Sequence, residues 1–274
     1  MPRGPTRRHP ASARQSNFLI TRHSERILWC IRATMETECS RLADTIHQLA
    51  QNHHKPRYLV AIGGSPGSGK TTTAKMVTHL LNKGSVKRTV LISMDGFHLS
   101  RAALDKLPDP EMAHARRGAP WTFDLPRFQD FVRRLYTWAN AVPLCTSVKG
   151  WSDAEVLTAP TFDHEVKDPV EDGIIITPDT SIIILEGNYL LLNEPGWRDI
   201  SSLFDYRVFI NIDLQEARSR VAKRHVHAGI ERTLEEGLRR VDSNDYLNAL
   251  LIHEKLLVPD MFVESIPWSF TEAS

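Results

Sequence analysis

"GGSPGSGKTT", Gly63–Thr72, sets four glycines around a single lysine. "RYLVAI", Arg57–Ile62, precedes it, a short apolar run rich in β-formers that predicts a buried strand. "TTTAKMVTHLLNK", Thr71–Lys83, follows, with Ala74, Val77, Leu80 and Leu81 recurring at helical spacing. The glycines therefore join a strand to a helix start, and Gly64, Gly69, Lys70 and Thr71 satisfy G-x-x-x-x-G-K-[ST]. Without Cβ atoms the backbone can turn its N–H groups inward, and the helix N-terminus adds partial positive charge. Gly64, Ser65, Gly67, Ser68, Gly69, Lys70, Thr71 and Thr72 are thus the expected cradle for a nucleoside triphosphate. Lys70 would reach the β- and γ-phosphates, and the Thr71 hydroxyl would bind Mg²⁺. A dinucleotide fingerprint fits less well, because Thr72 stands where G-x-G-x-x-G needs its third glycine.

Composition sets limits around this motif. The 274 residues are 41% hydrophobic and 24% charged, ordinary for one α/β domain behind an N-terminal tail. A net charge of +1 supplies no global field for nucleic acid or an anionic membrane. Cys30, Cys39 and Cys145 are odd in number and widely spaced, which suggests a reducing compartment and no zinc site. "SIIILEGNYLLL" is too short to span a bilayer and contains Glu186. The expected location is cytoplasmic. Residues 1–34 hold seven arginines, no lysine and one acid, Glu25. They read as a basic tail or as sequence upstream of a start at Met35, with a mitochondrial transit peptide left open. The domain is expected over 35–274, beginning with the helix pattern of "METECSRLADTIHQLA".

Further strands are expected over Thr89–Met94, in "TSIIILEG", over Tyr206–Asp213 and in "MFVESI". Helices are expected over Leu125–Asn140, in "LQEARSRVAKRHVHAGI" and, in two pieces, in "TLEEGLRRVDSNDYLNALLIHEKLL". The alternation predicts an α/β fold with a mostly parallel central sheet covered on both faces. Two stretches are expected to be irregular: "LSRAALDKLPDPEMAHARRGAPWTFD" and "GWSDAEVLTAPTFDHEVKDPVED". Loops this long inside a domain are usually functional.

Asp95 ends the second strand, where an open α/β sheet presents its ligand crevice. It is a candidate base for an acceptor hydroxyl, with a Mg²⁺-ordering or a structural aspartate as the alternatives. Glu186 ends a buried apolar strand, a poor place for an acid unless it is paired or linked to metal, directly or through water. Arg220 and Arg224 share a helix face near Lys223, either as a lid over the phosphates or as a solvated basic face. His225 and His227 are too close for one helical face, so no metal site is expected there. Phe162, His164 and Lys167 on one loop, His98 beside Asp95, and Arg116, Arg117 and Trp121 on another are candidates to line an acceptor pocket.

"GGSPGSGKTT", "MDGFH", "PTFDHEVKDP", "ILEGNYLLL" and "RVAKRH" occur in the order seen in the uridine kinase, pantothenate kinase and phosphoribulokinase superfamily, which the chain resembles from about Lys55 onward. The stretch from "MDGFHLSR" to "GAPWTFD" is more similar to a fungal branch described as ATP-dependent kinase-like proteins. The resemblance implies a three-layer P-loop NTPase fold, ATP with Mg²⁺, Asp95 as base, and lid arginines at Arg220 or Arg224. "FDHEVKDP" departs from the uridine kinase pattern, so the resemblance supplies no substrate. The expected activity is transfer of the ATP γ-phosphate to a hydroxyl of a small metabolite, with a homodimer as one compatible assembly. The other class is an ATPase or ATP-binding protein with a regulatory role. A GTPase is disfavoured because "NKGS" at Asn82 lacks the aspartate of the guanine signature.

Overall fold

The computed structural model of the chain describes residues 35–83, 88–141 and 156–265. The basic segment 1–34, Cys30, Cys145 and the start of the "GWSDAE" stretch lie outside these residues. Cys39–Ser265 form one compact unit. The other, Met1–Glu38 with Ile266–Ser274, is described only over 35–38.

Five strands make one parallel sheet in the order β2 (Arg88–Ser93), β5 (Thr180–Gly187), β1 (Tyr58–Gly64), β6 (Tyr206–Asn211), β7 (Met261–Glu264). β1 is central and buried along its whole length, which is why its sequence is apolar rather than alternating. Its two faces are covered by different helices. Leu59 and Ala61 join Ile183, Leu185 and Phe209 in a core closed by Phe128, Phe131, Val132 and Leu135 of α5 (Leu125–Asn140). The buried side of α2 (Lys70–Asn82), Ala74, Val77 and Leu81, packs against β1, β2 and β5 from the other face. The first helix, α1, runs over 35–51.

The two stretches expected to be irregular are built differently from that expectation. Between β2 and α5 the chain makes two short helices, α3 (Arg101–Leu104) and α4 (Pro110–Ala115), flanked by 3-10 turns at Met94–Phe97 and Pro120–Thr122. Ser100, Asp109 and Asp124 cap α3, α4 and α5, so the polar residues that read as loop are helix starts. "LTAPTFDHEVKDPVEDGIII" is an antiparallel hairpin, β3 (Leu157–Asp163) with β4 (Asp168–Ile176). Its prolines hide the alternation. Pro160 falls at the register shift between Ala159 and Thr161, where a missing N–H costs no ladder bond.

The hairpin is seated on Gly96. A Cβ at this position would stand 2.3 Å from the Pro160 carbonyl oxygen. Gly96→Ala is therefore expected to destabilise the fold by about 1–3 kcal/mol, the usual cost of overpacking, and to displace the hairpin. Urea denaturation checks this, and unchanged stability would show that the bulge yields freely.

The remaining helices are α6 (Trp197–Ser201), α7 (Leu214–His227), α8 (Leu234–Ser243) and α9 (Asp245–Glu254). No described helix is long and apolar enough to cross a membrane.

Burial holds the imidazoles of His53, His98, His225 and His253 below their usual range. Unfolding frees each to take up a proton near 6.5, so protons favour the unfolded chain. The stability from keeping these rings neutral is present above 6.5 and is lost as pH falls below it. The melting temperature is therefore expected to drop on going from about pH 7.5 to about pH 5.5. A flat profile in a thermal melt series would contradict this.

Candidate active site

The phosphate loop leaves β1 at Gly64 and enters α2 at Lys70. Gly67 (φ 82°) and Gly69 (φ 85°) are both left-handed, and Gly69 is the N-cap of α2 with no side-chain cap. The glycines thus supply the turn and leave the first amides of α2 free for a ligand. Gly67 is also required by packing, since a Cβ there would lie 2.7 Å from the Ala217 carbonyl oxygen of α7. Ser65 and Ser68 are buried, with hydroxyls that have no partner among the described residues. Thr72 lies exposed in the first turn of α2.

Gly67, Lys70 and Thr71 line a cleft of about 520 Å³ at the carboxyl ends of the central strands. Glu186, at the end of β5, is 2% exposed and lies beside them. Its burial is compensated by hydrogen bonds. Thr71 Oγ1 donates to Oε2 at 3.0 Å and Ser93 Oγ donates to Oε1 at 2.7 Å. Burial pushes the Glu186 carboxyl up, and the Lys70 charge opposes that shift. Burial pushes the Lys70 ammonium down, against the charges of Glu186 and Asp95 and with the help of Arg224. Lys70 is thus a cation that gains by meeting further negative charge.

Asp95 stands in the 3-10 turn that follows β2, and its carboxylate is 44% exposed into the same cleft. Its backbone N–H donates to Ser93 Oγ, so Ser93 touches both acids. His98 hydrogen-bonds the Asp95 carbonyl through Nδ1 at 2.8 Å and lies 3.9 Å from its carboxylate. The ring of His98 is packed between Phe123 and Phe162, 3.9 and 5.1 Å away. Phe162 and His164 of the hairpin line the cleft together with Asp95.

The other expected residues divide. Arg224 lines the cleft. Arg220 is turned away from it, pairing with Glu216 and donating to Ser265 Oγ at 2.8 Å, while Ser265 donates to the Ser68 carbonyl. Arg220 therefore braces the phosphate loop from behind. Arg117 also braces: it donates to the Leu99 and Lys167 carbonyls, pairs with Asp168 and covers Phe162 at 5.3 Å. It holds the hairpin without lining the cleft. Lys223 is exposed on α7. Arg116 and Trp121 lie on a different cavity. Further polar cleft residues, Lys75, Ser93, Thr161, Asn188 and Asp245, escaped the sequence analysis as site candidates. Ser93 and Asn188 follow the rule that strand ends face the ligand, which the sequence could have signalled.

A phosphate loop at the head of a parallel sheet, with a lysine, a buried acid and a second acid around one cleft, defines a P-loop kinase. The chain belongs to the phosphoribulokinase/uridine kinase family, whose model matches residues 59–226. Its relatives include a Schizosaccharomyces pombe protein provisionally named uridine kinase C227.14, 39% identical over 78% of this chain and 85% of that one. The ATP-dependent kinase-like protein notR′ of Aspergillus versicolor is 39% identical over 66% of this chain and 97% of its own length. Among solved structures, YFH7 from Saccharomyces cerevisiae superposes with a TM-score of 0.70 at 27% identity, covering 82% of this chain and 98% of that one.

Proposed function

We propose that the protein transfers the γ-phosphoryl group of ATP to a hydroxyl of a small polar metabolite. The observation that carries this reading is the placement of Lys70 and Asp95 on one cleft that the hairpin residues Phe162 and His164 also line. A bare ATPase has no need of such a lining. Thr71 Oγ1, Ser93 Oγ and the carboxylates of Glu186 and Asp95 form a set of hard oxygen donors suited to Mg²⁺. Thr71 and Glu186 would hold the ion. When bound, Mg²⁺ supplies charge neutralisation on the β- and γ-phosphates.

The protein's own groups then have distinct tasks. The loop amides and Lys70 hold the phosphates and offset the charge that develops in transfer. Arg224 approaches from α7 as a second cation. Asp95 accepts the proton of the attacking hydroxyl, and His98 and Ser93 hold the turn on which it stands. Phe162 and His164 orient the acceptor so that its oxygen faces the γ-phosphorus. The near-neutral net charge and a cleft of about 520 Å³ favour a small acceptor over nucleic acid or a membrane.

A thermal-shift screen of hydroxylated metabolites, run with a nonhydrolysable ATP analogue and Mg²⁺, tests the reading. An acceptor should raise the melting temperature beyond the analogue alone and should stimulate ADP formation. Steady ATP hydrolysis that no metabolite stimulates would favour the ATPase alternative.

A further inference from the structure

A second cavity of about 540 Å³ shares no lining residue with the catalytic cleft. It lies between the Arg116–Leu125 segment, the Glu194–Trp197 turn and α9. Its walls are largely apolar: Pro120, Phe123, Trp197 and Leu251 face it, and Trp121 is half exposed at its rim. Within this surface stands one guanidinium. Arg116 donates through Nε to Asn244 Oδ1 at 3.1 Å and through Nη2 to Asn248 Oδ1 at 3.2 Å. Both acceptors are neutral amides. Among the described residues no carboxylate comes within 4.0 Å of Arg116, and Nη1 has no acceptor. The acid that lines the cavity, Glu194, is already paired with Lys255.

Two amides thus hold an arginine in a set orientation without neutralising it. A guanidinium so fixed has donors directed for a planar anion, and the rings and prolines around it suit a flat apolar body. We propose that this cavity is a second ligand site, for a small aromatic or similarly flat carboxylate whose charged head meets Arg116 and whose ring packs against Trp121 and Pro120. The site stands back to back with the catalytic cleft. Phe123 on its wall contacts His98, and Asn244 is followed directly by Asp245 of the cleft.

Phenylacetate and its neutral analogue phenylacetamide probe the site. Binding to the full chain is followed by saturation-transfer NMR, with Mg²⁺ and a nonhydrolysable ATP analogue filling the nucleotide side of the cleft. Phenylacetate is expected to bind saturably and about tenfold or more tighter than the amide, the value of a charged hydrogen-bonded pair. Arg116→Gln should weaken phenylacetate by a similar factor and leave phenylacetamide unchanged. Trp121→Ala removes a half-exposed ring, so the fold is not at risk, and it should weaken both compounds. If Arg116→Gln fails to fold, the acid–amide comparison and Trp121→Ala decide. Absence of saturable binding, equal affinity of acid and amide, or wild-type affinity in Trp121→Ala would each overturn the proposal.

Discussion

Replacing Lys70 with alanine is expected to slow phosphoryl transfer by at least about 10²–10³-fold, the loss typical when a preorganised group facing developing charge is removed. The fold should survive intact. Lys70 is half-buried, and burial lowers its hold on its proton, with Glu186 and Asp95 only partly compensating. Its ammonium is therefore not what keeps the loop folded. The glycine turn, the Thr71–Glu186 hydrogen bond and the Arg220–Ser265–Ser68 chain remain in the variant. Melting temperature measured beside kcat separates the two effects. A folded Lys70→Ala protein with wild-type turnover would remove the phosphate loop from the mechanism.

Asp95→Asn is expected to reduce kcat by about 10²–10⁴-fold, the usual worth of general-base catalysis, while ATP affinity changes little. Asparagine keeps the shape and the backbone bonds to Ser93 and His98 but cannot take the acceptor's proton. Glu186 and Asp95 predict different variants. Glu186 is buried and bonded to Thr71, so Glu186→Gln should weaken Mg²⁺-dependent ATP binding. Asp95 is half exposed and shares the cleft with the hairpin residues Phe162 and His164, so its loss should appear in kcat with the acceptor. Calorimetry of ATP binding at fixed Mg²⁺, beside kcat, checks both. If Asp95→Asn loses ATP affinity along with rate, Asp95 is chiefly a metal residue. If neither changes, the base lies elsewhere.

The phosphate loop and the parallel sheet were legible because both are local. A strand, a glycine turn and a helix start occupy consecutive residues, and buried parallel strands read as apolar runs. Asp95 and Glu186 were legible as acids at strand ends. The hairpin was not, because Pro160 and Pro169 break the alternation that marks a strand, and its bulge is meaningful only against Gly96, 64 positions earlier. The difference between Arg220 and Arg224 was also out of reach. They share a helix face by spacing, yet Ser265, brought in after β7, draws one of them behind the loop. Arg116 and Arg117 are adjacent in sequence, yet Arg116 lines the second cavity while Arg117 braces the hairpin, since their neighbours come from α9 and the hairpin. Asp245 reaches the cleft only because α9 begins there, and no local pattern announces that.

The central claim is transfer to an acceptor rather than hydrolysis. It is tested most directly by following γ-labelled ATP with the acceptor found by the thermal-shift screen and comparing label on the acceptor with ADP formed. The account predicts one phosphoryl group on the acceptor for each ADP, with both products lost together in Lys70→Ala. Label recovered only as free phosphate, at a rate the acceptor leaves unchanged, would contradict it.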